Sequence, residues 1–152
     1  MKKSDIAWNP DATASANAKS RLPGLARAFF RAGDKLAAAG AGPAQAHQFR
    51  IAAKQFRYTL ELFRPCYGSQ LEKRLQSLKE VQQCLGDLND LVTAQGLESG
   101  EQMHAALEVR IRARIQEFHD LWKQRFGKPV QERWVQYLAG KNIPKKTASA
   151  VG

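Results

Sequence analysis

Apolar side chains recur at spacings of three and four along most of this chain, which is the period of one face of an α-helix. Between residues 69 and 85, for example, one face carries Leu71, Leu75, Leu78, either Val81 or Gln82, and Leu85, and the opposite face is polar. No stretch alternates with the period of two that is typical of a β-strand, and glycine or proline interrupts the pattern at intervals. The pattern predicts an all-α fold, an antiparallel helical bundle of about five helices.

The interruptions divide the chain into five or six predicted helices. They cover residues 20–39, 43–64, 69–85, 87 to about 96, 101–126 and 130–138. Ser20 is the expected N-cap of the first helix, with Pro23 in its first turn. Gly86 is the expected stop of the third helix, and Asp87 is the expected N-cap of a short fourth one.

The two ends of the chain differ from its middle. Residues 1–17 and 141–152 carry little apolar periodicity, so we expect flexible tails around one domain at 18–140. No apolar run reaches the length of a membrane span, and the first residues lack the apolar core of a secretory signal. We therefore expect a cytoplasmic protein without a membrane partner. Cys66 and Cys84 form no CxxC pattern, which predicts reduced, structural thiols.

Charge carries the strongest indication of function. The chain has 24 Lys and Arg against 14 Asp and Glu, a formal net charge of +10 among 152 residues. Such an excess predicts a polyanionic partner, and nucleic acid, an anionic membrane surface and inorganic polyphosphate all fit it. The alternative interpretation is a basic protein whose charge serves only solubility.

The second predicted helix concentrates this charge on one face. At about 100° per residue, the core-facing stripe consists of Phe49, Ala52, Ala53, Phe56, Leu60 and Phe63. The opposite side carries a row made of His47, Arg50, Lys54, Arg57 and Tyr58. Like charges at these spacings repel, so the row favours an anionic ligand such as a run of phosphates, to which arginine donates paired hydrogen bonds. A solvated charged face is the competing interpretation.

Two weaker rows of cations lie elsewhere. The first helix carries Arg27, Arg31 and Lys35 at spacings of four, and the long helix carries Arg110 and Arg114. These five side chains either complete a basic groove with the second helix or supply ordinary solubilising charge.

Two adjoining segments resemble the CHAD family, the conserved histidine α-helical domain. They are HQFRIAAKQFRYTLELF at 47–63 and YGSQLEKRLQSLKEVQQCLGDLNDL at 67–91. The first is similar to an H-x-x-R-[IV]-x-x-[KR]-x-[LF]-R-Y-x-L-E-x-F helix. The second is similar to a leucine-rich helix that ends in L-x-x-[LV]-Q-x-x-L-G-x-x-N-D. Phe56 stands where the family usually has leucine, which keeps the apolar character of the position.

The resemblance implies a helical bundle that binds inorganic polyphosphate without hydrolysing it. The positions that match the family's basic face are His47, Arg50, Lys54, Arg57 and Tyr58, and Lys79 on the third helix is a lesser candidate. Leu85, Gly86, Asn89 and Asp90 match the family's turn, where a helix stop and a cap explain them without a ligand. Association with polyphosphate granules is a further expectation.

One departure from the family concerns its usual tandem of two helical halves. This chain carries the motif once, in a form closer to the second half. Either one bundle suffices, or two chains pair about a two-fold axis and rebuild the double bundle. The homodimer is a hypothesis that a light-scattering mass tests.

Signs of catalysis are weak in this sequence, so we expect a binding protein with no cofactor. The segment from Glu101 to His104 has the E-x-x-H spacing of a helical di-iron site, but a second copy is missing, and we expect no metal. The sequence contains no phosphate-loop, nucleophile-elbow or zinc-protease motif. It also lacks the E-x-E-x-K motif of the triphosphate tunnel enzymes that CHAD domains sometimes accompany. Two alternatives to polyphosphate stay open: general polyanion or nucleic-acid binding, and a helical scaffold that docks an acidic protein.

Overall fold

The computed structural model describes residues 8–38, 42–98 and 100–141. These residues form five α-helices and one short 3₁₀ turn, and no strand occurs among them. The helices are α1 (Ala14–Ala38), α2 (Pro43–Leu62), α3 (Gln70–Leu97), α4 (Glu101–Arg125) and α5 (Lys128–Leu138), with the 3₁₀ turn Arg64–Cys66 between α2 and α3. The predicted all-α bundle is confirmed. None of the described helices is both long and apolar enough to cross a bilayer.

The first helix begins earlier than its sequence predicts. Thr13 caps α1, because its Oγ1 accepts a hydrogen bond from the backbone N–H of Ala16 at 3.1 Å. The prediction of Ser20 as the N-cap is therefore wrong, and Pro23 is a buried residue of the helix interior rather than of its first turn. Small and polar residues fill the first turns of α1, from Ala14 to Ser20, so no large apolar side chain marked them as helical. Residues 14–17, which the prediction assigned to a tail, belong to α1.

The third and fourth predicted helices are one helix. α3 continues through Gly86 and Asp87, so the predicted stop at the first and the predicted cap at the second are wrong. Leu85 and Leu88 are both buried and extend the same apolar stripe. Burial of a leucine is worth about 2 kcal/mol, more than the roughly 1 kcal/mol that a glycine costs in a helix interior. Tertiary packing thus outweighs the local signal.

The other helix boundaries differ from their predicted positions by one or two residues. α2 ends at Leu62 and α4 at Arg125. α5 begins at Lys128, with Gly127 as its N-cap and Pro129 in its first turn, where the missing N–H costs nothing. The predicted end of the first helix, at residue 39, lies outside the described residues, as does residue 142 onwards.

Consecutive helices pack together from α1 to α4, and α5 packs back against α1. α1 packs against α2 and α5, α2 against α3, and α3 against α4, while α1 also contacts α4. In the predicted core stripe of α2, Phe49, Ala53, Phe56 and Leu60 are buried, whereas Ala52 and Phe63 are half-buried. Phe29 of α1 lies at the centre of an aromatic cluster, with ring centroids 5.0 Å from Phe49, 4.9 Å from Phe56 and 5.7 Å from Trp122. Such contacts fix α1, α2 and α4 against one another.

A hydrogen-bonded carboxylate ties α5 to this core. Asp34 of α1 accepts bonds from Trp122 Nε1, Lys128 Nζ and Gln131 Nε2, each at 2.9 Å. Burial opposes ionisation of Asp34, but these bonds and the charge of Lys128 outweigh it and lower the pKa of the carboxyl. The neighbouring Gly33 leaves room for the Trp122 indole, which a β-carbon at that position would overlap.

The two cysteines are free thiols, and each is half-buried. Burial, together with the negative charge of Glu117, raises the pKa of Cys84 to about 11. A thiol with such a pKa is protonated at neutral pH and reacts slowly.

Candidate anion-binding site

The predicted basic row lies along the side of α2 that borders α3. Tyr58 is 49% exposed and His47 is exposed, while Arg50, Lys54 and Arg57 are half-buried. Two members of the row reach α3 directly, at Gln82 and at Gly86. We call the combined surface the α2–α3 seam; it consists of His47, Arg50, Lys54, Arg57 and Tyr58 with Gln82 and Gly86.

Arg57 is held in place by its neighbours. Its Nε donates to Gln82 Oε1 at 2.9 Å, and its Nη1 donates to Glu61 Oε2 at 3.4 Å. The guanidinium also lies 4.7 Å from the centroid of the Tyr58 ring, at cation–π distance. Nη2 donates to no protein group in the described part of the chain. Arg57 therefore presents a fixed orientation and retains a free pair of N–H groups.

Arg50 makes a different kind of contact with α3. Its Nε is buried and has no hydrogen-bond partner among the described residues. A β-carbon built on Gly86 would lie 3.6 Å from that atom, so the guanidinium occupies the space above the glycine. Buried donors without partners are rare in folded proteins because their desolvation is not compensated. Arg50 also forms no ion pair among the described residues, so its charge remains available to an anion that approaches the exposed part of the guanidinium.

Sequence reasoning missed Gln82 and Gly86 as parts of this site. Gln82 was one of two alternatives for a core position, and Gly86 was interpreted as a helix stop. Their spacing of four residues would have placed them on one face if the helix had been recognised as continuous. Val81, the other alternative, is the buried residue.

An acidic residue stands at the end of the row. The Glu61 carboxylate lies 3.4 Å from Arg57 Nη1 and 3.5 Å from Arg64 Nη2. Arg64 has a second partner, because its Nε lies 2.8 Å from Glu72 Oε1. Glu61 therefore competes with any anion for Arg57, whereas Arg64 keeps a partner of its own.

The weaker candidates are found in other grooves or on exposed surface. Arg27 and Arg31 line a groove between α1 and α5. Lys79 and Arg114 line another groove, between α3 and α4, in which Glu80, Asp87 and Glu117 add negative charge. Arg114 donates to Glu117 at 2.6 Å within that groove. Lys35 on α1 and Arg110 on α4 are exposed.

The E-x-x-H segment lies at the start of α4. Glu101 and His104 are exposed there, beside Glu108 and Arg112 in an open pocket. The residues that the structure describes contain no group of three or more His, Cys, Asp or Glu side chains placed to hold a metal ion.

The fold and site together define a helical bundle with a cationic seam between its second and third helices. A sequence model described as the CHAD domain matches residues 3–97, and the chain belongs to the CHAD family. The matched range ends with the last residue of α3 and contains the whole α2–α3 seam. The family is associated in general with non-catalytic polyphosphate binding. The chain matches none of the curated proteins and none of the solved structures with which it was compared.

Proposed function

We propose that this protein binds inorganic polyphosphate, without catalysis, through the α2–α3 seam. The observation that carries the proposal is the state of its two arginines. Among the described residues, Arg50 forms no ion pair, and Arg57 is oriented by Gln82 while its Nη2 has no partner. Guanidinium groups that are held in position and keep unused N–H donors suit phosphate oxygens, which accept paired, charge-assisted hydrogen bonds.

The spacing of the cations fits a linear ligand. Arg50, Lys54 and Arg57 follow one another along α2, so the outer two lie about 10 Å apart along the helix axis at a rise of 1.5 Å per residue. An extended chain of phosphates carries negative charge along its whole length and so meets each cation in turn. Charge neutralisation and release of counterions then drive binding, and added salt weakens it.

The aromatic content of the seam favours polyphosphate over nucleic acid. Single-strand binding proteins stack successive bases on exposed aromatic rings. Tyr58 is the aromatic member of the seam, and Arg57 covers one face of its ring. The phenylalanines of α2 that sequence analysis assigned to the core, Phe49 and Phe56, are buried. Nucleic acid is therefore the competitor ligand against which the proposal is tested.

A triple variant tests the site. We expect Arg50→Ala, Lys54→Ala and Arg57→Ala together to abolish tight polyphosphate binding at near-physiological salt while circular dichroism shows unchanged helix content. Loss of three cations should also lower the slope of log affinity against log salt by about 2, at roughly 0.7 per contact for a single-stranded polyanion.

A matched control separates the site from net charge. Arg112, Lys123 and Arg133 are exposed cations outside the seam, and their replacement by alanine removes the same charge. We expect this control to bind nearly as tightly as the wild type. Equal binding by the seam variant and the wild type would show that the ligand lies elsewhere.

Two expectations about assembly and location remain predictions. We propose a homodimer that rebuilds the double bundle of the family, and a light-scattering mass of one chain at working concentration would contradict it. We also propose a cytoplasmic location at polyphosphate granules, which imaging of a fluorescent fusion tests.

A further inference from the structure

A second cationic groove lies between α1 and α5. Its volume is about 570 Å³, and it is open to solvent along its length. Four of the residues that line it are cations and one is an acid: Arg27, Arg31, Lys128 and Lys141 against Glu132. The groove therefore carries a net positive charge of its own.

Most of these cations are unpaired. Lys128 donates to Asp34 at 2.9 Å, but Arg27, Arg31 and Lys141 form no ion pair within the described residues. The buried ring of Phe30 also lines the groove, which gives the cations an apolar wall. Charges beside a low-dielectric wall are less screened than charges surrounded by water, so the groove concentrates a positive potential.

The turn after α5 fixes the end of the groove. Gly140 has φ of 74°, and its N–H donates to Tyr137 O while that of Lys141 donates to Gln136 O, both at 3.0 Å. This pair of bonds is the Schellman motif, and it reverses the chain so that Lys141 lines the groove. The aliphatic part of Lys19 packs against Gly140, where an added β-carbon would lie 2.9 Å from its Cδ. The aliphatic part of Lys19 thus lies beside the turn that ends the groove.

The groove and the α2–α3 seam face different sides of the bundle. Arg27 and Arg31 point toward α5, while Leu25 and Phe29 of the same helix line the contact with α2. Both α1 and α2 thus lie between the two cationic surfaces. At about 10 Å for each helix, this order of helices puts the two surfaces roughly 20 Å apart.

We propose that the α1–α5 groove is a second anion-binding site, which takes a separate segment of a phosphate chain. This inference rests on the proposed function of the α2–α3 seam and extends it from one site to two. A protein with two such sites holds two short chains at once, bridges two long chains, or binds one long chain at both sites. In the last case the second contact is intramolecular, so long chains bind more tightly than short ones by avidity.

The stoichiometry of a short oligophosphate tests the proposal. The probe is linear polyphosphate of defined length, too short to span both surfaces, titrated calorimetrically into the full chain. We expect two equivalents for the wild type and one for Arg27→Gln with Arg31→Gln. Arg50→Gln with Arg57→Gln should also leave one equivalent. The control, Arg112→Gln with Lys123→Gln, removes the same charge from α4 and should keep two.

The possible outcomes separate this inference from the proposed function. The second site would be overturned, and the first would stand, by the following result: the wild type binds one oligophosphate per chain, the Arg27/Arg31 variant still binds one, and the Arg50/Arg57 variant binds none. Two equivalents in the Arg50/Arg57 variant would overturn the proposed function of the seam. A long chain gives a second measurement: wild-type protein should cross-link it into light-scattering assemblies, and an Arg27/Arg31 variant that scatters as strongly would contradict bridging through the groove.

Discussion

Glu61 competes with the ligand for Arg57, so removal of its charge should strengthen binding. Its carboxylate lies 3.4 Å from Arg57 Nη1, and a phosphate on the free Nη2 would lie about 7 Å from it. At an effective dielectric constant of about 40 to 80, two unit charges at that distance repel by about 0.6–1.2 kcal/mol. Screening at physiological salt roughly halves this energy, because the Debye length is about 8 Å. We predict that Glu61→Gln lowers the Kd for polyphosphate about two- to threefold.

A neighbouring acid provides the control for this prediction. Glu72→Gln removes the same charge, but Glu72 pairs with Arg64 and is not a hydrogen-bond or ion-pair partner of Arg57 among the described residues. Loss of either surface ion pair costs no more than about 1 kcal/mol of stability, so both variants should fold. The assay is titration of labelled polyphosphate into each variant in parallel at one salt concentration. If Glu61→Gln binds no more tightly than Glu72→Gln, the ligand does not engage Arg57 in the way that the seam requires.

Three further predictions concern the fold that positions the site. The folded state lowers the pKa of Asp34, so ionised Asp34 adds to the free energy of unfolding at any pH above the ordinary carboxyl pKa of 3.8. This contribution is lost as pH falls through the lowered pKa. Asp34→Asn should therefore flatten the acid dependence of the melting temperature in thermal melts. Gly33→Ala should destabilise the fold by about 1–3 kcal/mol in urea titration, because the new methyl group displaces the buried Trp122 ring. Tyr67→Phe should cost about 1 kcal/mol in the same assay, since the phenol donates to the terminal carbonyl of Leu138 at 2.8 Å.

Periodicity alone predicted the helical class and the buried face of α2. Phe49, Ala53, Phe56 and Leu60 follow a spacing that only one helical face can satisfy, and they are buried. The same arithmetic placed Arg50 and Arg57 opposite the core stripe, and the structure adds that both reach α3. Spacing along a single helix is enough to predict this row, because α2 alone supplies most of the cations.

Features that depend on tertiary packing were not predictable in the same way. Glycine is the residue type that most often ends a helix, so Gly86 predicts a stop, and only the burial of Leu85 and Leu88 shows why α3 continues through it. The partnership of Gln82 with Arg57 joins residues 25 positions apart, a distance that no periodicity encodes. The separation of Arg27 and Arg31 from the seam likewise depends on which side of α1 receives α5.

The central claim is that the α2–α3 seam recognises a phosphate chain rather than negative charge in general. Its most direct test is competition at near-physiological salt. Labelled long-chain polyphosphate bound to the protein is displaced by unlabelled polyphosphate, or by single- or double-stranded DNA at a matched phosphate count. We expect polyphosphate to displace the label at much lower phosphate concentration than either DNA, with the preference lost in the Arg50, Lys54 and Arg57 alanine variant. Displacement by DNA at the same concentration would contradict the claim and identify a general polyanion binder.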